Sequence, residues 1–241
     1  MNVLVIAPHP DDETIGCGGT VCKHSAHGDR VATVFLTSGE LGLKRMSREH
    51  AWRIRETEAK CAASILGIAR LEFLRLPDWA VSEHVREAAK GLRSMLEDEQ
   101  PKVIYLPHPK DGHPDHQAAL PILKAALRNS RFPPPELRGY EIWTPLPEYQ
   151  RVEDITAVIH HKLRALHAHR SQLDSFDYDK AMLGLNQFRG ELAAKCRYAE
   201  VFQVLPPNVS PKVPRSRGAG RFKTKLEADR HPKDPGIHSR Q

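Results

Sequence analysis

Residues 7–19, APHPDDETIGCGG, set one histidine and three consecutive acids directly behind an apolar run, VLVIA. His9, Asp11 and Asp12 are residue types that ligate a divalent cation or carry protons in general acid–base catalysis. The plainer alternative is a turn into a helix, with Asp11 and Asp12 as caps on its positive N-terminus. Capping needs one carboxylate and no histidine, so the surplus points to chemistry. Further along, PHPKDGHPDH, residues 107–116, repeats the composition behind a second apolar run, VIYLP.

A catalytic zinc site takes three nitrogen or oxygen ligands from the protein and leaves the fourth position to water. His9, Asp12 and His116 supply such a His2Asp set without any cysteine. Asp11, beside a ligand on a tight turn, is then free to take a proton from water. His113, three residues before His116, is placed to stabilise an oxyanion as a charged or proton-donating imidazole. The same donors accept iron(II), Fe2+, as well as Zn2+.

These clusters must be brought together by the elements behind them. Strand-like runs at 2–7, 30–37, 70–76, 102–107 and 139–143 alternate with helical patterns near 14–27, 46–66, 82–99 and 115–128. Such alternation predicts an α/β fold, a Rossmann-like parallel sheet of order 3-2-1-4-5 with helices on both faces. In that order strands one and four adjoin at the topological switch point, so both His/Asp loops open into one crevice. After residue 130, a Pro- and aromatic-rich stretch reads as loops around the fifth strand. Residues 156–173 follow as one amphipathic helix containing Val158, Leu163 and Leu166.

The 241 residues suit one sizeable domain, read as 1–205, and a tail at 206–241. The net charge of +6 sits on that tail, with nine Lys/Arg against three acids, and the body is formally neutral. The tail reads as disordered, and a neutral body gives no reason to expect nucleic acid. No run is long and apolar enough for a transmembrane segment, and the start lacks a signal peptide's basic region, so a cytoplasmic location is expected. Cys17, Cys22, Cys61 and Cys196 lack CxxC spacing and read as free thiols. Whether the chain forms a homo-oligomer is left open.

APHPDDETIGCGGT, LTSGELG, HPKDGHPDH, HAHRSQ and YAEVF, in this order, resemble the LmbE/PIG-L family of zinc-dependent deacetylases acting on N-acetylglucosaminyl compounds. The resemblance implies removal of an N-acetyl group from a small amino-sugar conjugate. It also implies His9, Asp12 and His116 as zinc ligands, Asp11 as general base and His113 as the second, oxyanion-stabilising or acid histidine. The proton for the leaving amine is left open between Asp11 and His113.

Other residues carry weaker expectations. Glu13 reads as a first-turn helix carboxylate. Arg55 could grip sugar hydroxyls or a phosphate, or pair with Glu58 three residues on. Glu40 meets substrate or fixes a loop, and Ser171 and Gln172 position the C-terminal segment. His160, His161, His167 and His169 read as surface or packing histidines, and Tyr140, Trp143 and Tyr149 pack against sugar or core. Two competing readings are a nucleotide-binding domain with GCGG around a phosphate, and a non-catalytic relative. Against the first, GCGG follows the acids rather than forming GxGxxG behind the strand.

Overall fold

The computed structural model describes residues 1–206 except 129 and 175, so the tail at 206–241 lies, apart from Pro206, outside the described residues. The run VLVIA forms the buried middle of β1 (Asn2–Ala7). Parallel β2 (Arg30–Thr37) and β4 (Val103–Pro107) flank it, with β3 (Arg70–Leu76) outside β2 and β5 (Glu136–Tyr140) outside β4. The order 3-2-1-4-5 is that expected from the sequence.

Alternate residues of the central strands feed two cores, the period-two consequence of a pleated sheet. Val3, Val5, Val31, Val103 and Tyr105 pack against α1 (Asp12–Ala26), α2 (Arg48–Leu66) and α5 (Ile159–Ala168). Leu4, Ile6, Val34, Ile104 and Leu106 pack against α3 (Val85–Glu99) and α4 (Pro114–Leu127). The chain therefore leaves β1 for one face and β4 for the other, which opens the crevice between their carboxyl ends.

Beyond β5 the structure departs from expectation. The fifth strand ends at Tyr140, so Trp143 lies in the following loop. Two antiparallel strands, β6 (Arg151–Asp154) and β7 (Ala199–Leu205), extend the sheet to seven, in the order β3-β2-β1-β4-β5-β7-β6. Neither announces itself, because RVED holds one apolar residue and AEVFQVL buries a glutamate. Residues 156–173 are three pieces: a 3-10 turn at 156–158, α5, and the short α6 (Arg170–Leu173) after a break at His169 (φ −83°, ψ 55°). A last helix, α7 (Tyr178–Arg189), precedes β7.

GCGG has a structural use. Helix α1 is kinked at Cys17 (φ −146°, ψ 19°), which orphans a carbonyl before the kink and amides after it. Buried Lys162 donates to the Ile15 carbonyl at 2.8 Å, and Glu200 accepts from the Gly19 and Thr20 amides at 2.9 and 2.8 Å. The two side chains pair at 2.7 Å, and Lys162 also donates to Asn186. Gly16 lets the helix approach β5, since a Cβ there would lie 2.2 Å from the Tyr140 ring. The amides that would have met a phosphate are thus occupied by a carboxylate, and Tyr140 belongs to the core, its hydroxyl donating to the Ile6 carbonyl. Glu200→Ala strands the Lys162 ammonium and should lower the unfolding free energy by about 3–5 kcal/mol. Urea denaturation checks this, and an unchanged midpoint would mean that the kink holds itself.

Candidate metal centre

The turn leaving β1 places His9 and Asp12 side by side, and the first turn of α4 carries His116 to them. His9 Nδ1 lies 3.2 Å from Asp12 Oδ2, His116 Nε2 lies 3.3 Å from the same oxygen, and the two nitrogens are 3.3 Å apart. The opposite edge of each ring meets carboxylates: His9 Nε2 faces Asp78 at 3.1 Å and Asp115 at 3.3 Å, and His116 Nδ1 faces Asp111 at 2.8 Å. A carboxylate only accepts, so the outer nitrogens carry hydrogens, and in the neutral rings the inner ones present lone pairs. Three acceptors this close repel unless a cation, proton or metal, joins them. A tetrahedral ion with ligands at about 2.0–2.1 Å has them about 3.3 Å apart, so the triangle fits such an ion.

The electrostatics agree. Burial opposes charge on His9, but Asp115, Asp12 and Asp78 outweigh it and hold the ring well above its usual pKa. Burial is likewise overcome at His116 by Asp12 and Asp111, which push it up to about 9. For Asp12, burial favours the acid, yet His116 and His9 hold its carboxyl well below the usual range.

Two other trios converge, His9 with His113 and His116, and His9 with Asp78 and Asp115. His113 caps α4, its Nδ1 accepting the Asp115 amide proton at 3.2 Å. The neutral ring therefore carries its hydrogen on Nε2 and has no lone pair to offer there. Burial, then the charges of His9 and His116, push this imidazole down to about 4, so it is neutral at pH 7. Asp78 and Asp115 are engaged by backbone: Asp78 accepts from Leu41, and Asp115 from Trp79 and Val81.

Asp11 has a strained backbone. Its φ of 126° lies in the region that favours glycine, at a cost of order 1–3 kcal/mol. Its side chain does not cap α1. The Asp11 amide donates to Glu13 Oε2 at 3.1 Å, and the carboxylate sits 3.3 Å from the Arg55 guanidinium. Burial pushes the Asp11 carboxyl up to about 6, against the pull of Arg55. Arg55 does not pair with Glu58: it donates to the Gly39 and Pro10 carbonyls at 2.9 and 2.6 Å, while Glu58 accepts from the Ser171 amide and hydroxyl. Gly39 (φ 63°) is required where it stands, because a Cβ would lie 2.0 Å from that guanidinium. Glu40 is buried and accepts the Asp78 amide proton at 3.1 Å, which ties the loop after β2 to the loop after β3.

Several members escape a reading of the sequence. Asp111 and Asp115 lie inside HPKDGHPDH and were open to it, since ligand histidines need carboxylates behind them. Asp78, in LPDWA behind β3, has only its position at a strand's carboxyl end as a signal. Glu13 is more than a helix-turn acid, for it holds the Asp11 backbone and meets His169 Nε2 at 3.5 Å. His169 is buried in the site, unlike the exposed His160, His161 and His167, because the break between α5 and α6 turns it inward. Trp143 is exposed beside His113, and half-buried Tyr149 packs under the Arg189 guanidinium.

Fold and site together define a class: a doubly wound α/β protein with a buried His/Asp cluster, a candidate metal site, at its switch point. The GlcNAc-PI de-N-acetylase (PIG-L) family profile matches residues 4–127. A diacetylchitobiose deacetylase of Thermococcus kodakarensis is 30% identical over 226 residues, covering 85% of this chain and 83% of that protein. A Bacillus cereus protein assigned as N-acetyl-alpha-D-glucosaminyl L-malate deacetylase 2 is 32% identical, covering 72% of this chain and 84% of the other. The N,N'-diacetylchitobiose deacetylase of Pyrococcus horikoshii superposes with a TM-score of 0.76 at 27% identity, over 88% of this chain and 87% of that one. The chain belongs to the PIG-L (LmbE) family. No helix among the described residues is long and apolar enough to cross a membrane.

His116→Ala should abolish stoichiometric zinc, read by metal analysis, whereas Asp11→Ala should retain it. Because His116 is held up to about 9 and His9 is also raised, an ion binding at pH 7 must displace protons. Calorimetry in buffers of different ionisation enthalpy should find about one or more released per ion, with affinity rising from pH 6 to 8.

Proposed function

We propose that this chain is a metal-dependent hydrolase that removes the acetyl group from an N-acetylglucosamine-type substrate, with His9, Asp12 and His116 as ligands, Asp11 as general base and His113 as oxyanion donor. The observation that carries this reading is the lone-pair triangle at the switch point, with a strained, buried carboxylate next to it in the chain. When bound, Zn2+ or Fe2+ supplies Lewis acidity that acidifies water and polarises the acetyl carbonyl. The amino-sugar substrates in the relatives' names support the substrate class.

Asp11 takes the proton from the attacking water. A carboxyl pushed up to about 6 suits this, being ionised at neutral pH yet more basic than an ordinary aspartate. His113 Nε2–H donates to the developing oxyanion while its Nδ1 keeps the Asp115 amide as partner. A neutral ring held this way has no second proton to give. The proton acquired by Asp11 is therefore the one delivered to the amine nitrogen as the C–N bond breaks, giving acetate and the free amine. Arg55 and Glu13 act on Asp11 from either side, one on its charge and the other on its backbone.

Asp11→Asn should lower acetate release about 10²–10⁴-fold while zinc stays bound. Since the ionised carboxylate is the active form, kcat/KM should rise with pH along one acid limb. A bound cation can only favour that carboxylate, so the midpoint lies at or below about 6. His113→Ala should reduce kcat about 10²–10³-fold without moving the limb. A limb that vanishes in His113→Ala would reverse the proton roles.

A further inference from the structure

We infer that Trp79 and Trp143 wall an aromatic subsite beside His113 that takes the ring joined to the acetamido sugar, so that the preferred substrate is a di- or oligosaccharide. This deepens the proposed deacetylase and rests on it. The two indoles are 57% and 54% exposed. Trp79 lies 4.4 Å from the His113 ring, centroid to centroid, and Trp143 lies 5.3 Å from His113 and 6.4 Å from His116. A sugar whose acetyl oxygen met His113 Nε2 would thus have both indoles within reach.

These positions are built. Asp115, which orients His9, also accepts the Trp79 amide proton at 2.8 Å, and Asp111, which orients His116, accepts that of Trp143 at 3.0 Å. One buried carboxylate on each side therefore fixes a candidate ligand and an indole-bearing backbone together. Trp79 also stands at φ 67°, where glycine is unstrained and a bulky side chain is not. The fold gains little from an indole that is mostly solvent-exposed, and its buried part rests on His113, so the exposed face stands at the site.

The indole faces suit a neutral ring. Indole faces take the C–H faces of pyranoses, as apolar surfaces with few rotatable bonds. The three buried Lys/Arg among the described residues are committed within the protein, Arg55 to Gly39, Pro10 and Asp11, Lys162 to Glu200, and Arg189 to Glu141, so none of them is left to meet an anionic aglycone.

The test uses the zinc-loaded full chain with N,N'-diacetylchitobiose and N-acetylglucosamine, comparing wild type with Trp79→Gly and Trp143→Ala. The wild type should favour the disaccharide in kcat/KM, and each substitution should cut that preference about tenfold, mainly through KM. Trp79→Gly should unfold at no lower temperature than wild type, which an indole serving only the fold would not allow. A second readout needs no turnover: the disaccharide should change the tryptophan emission of Asp11→Asn protein, and adding either Trp substitution should weaken the change. Acetate release with an unchanged preference in both variants would overturn the subsite and leave the deacetylase standing. Emission changes that depend on both indoles, without acetate from either sugar, would support the subsite and refute the deacetylase. A wild type with no disaccharide preference, together with Asp11→Asn protein that shows no emission change, would overturn the subsite.

Discussion

Three atoms, His9 Nδ1, Asp12 Oδ2 and His116 Nε2, are held 3.2–3.3 Å apart, and between them only a proton or a metal ion relieves the crowding of lone pairs. That arrangement is costly unless positive charge enters it. The surrounding structure keeps it from relaxing. Each histidine is locked from behind by carboxylates, and those carboxylates are locked by backbone amides from other loops. Asp111 joins the turn before α4 to residues 143–144, and Asp115 joins α4 to residues 79–81. The histidines cannot swing away without breaking bonds in two further segments, so a cation meets donors already in place.

A second tension lies at Asp11, whose backbone occupies a region that resists side chains. Glu13 grips its amide from within α1, and Arg55 holds both the preceding carbonyl and its carboxylate from α2. Farther along α1 the kink at Cys17 is closed by the Lys162–Glu200 pair, so β7 and α5 reach back to steady the helix whose first turn carries the acids. The C-terminal third of the fold thereby supports the chemistry proposed for the N-terminal third.

The sheet order was legible because VLVIA and VIYLP are unbroken apolar runs, as strands buried on both faces must be. The meeting of His9, Asp12, Asp11, His113 and His116 at one place followed from that order and from two loops of like composition. What stayed hidden was less periodic. β6 has one apolar residue, and β7 contains Glu200, whose burial makes sense only once the kink it caps is known. Asp78 gives no local sign that it will face His9 across the sheet. His169 looked like its neighbours on an amphipathic stretch, and a backbone break that no proline or glycine marks turned it inward. Arg55 and Glu58, matched by spacing, went to different partners, Arg55 to the Gly39 and Pro10 carbonyls and Glu58 to Ser171.

The most direct measurement is the ligand set of the zinc-loaded protein, read from anomalous scattering in crystals and from X-ray absorption at the zinc edge. The expected result is one ion bound by His9 Nδ1, an Asp12 oxygen and His116 Nε2, with His113 outside the coordination sphere and its Nδ1 still on the Asp115 amide. An ion bound by His113, or seated among His9, Asp78 and Asp115, would contradict the lone-pair assignment on which the proposed chemistry stands.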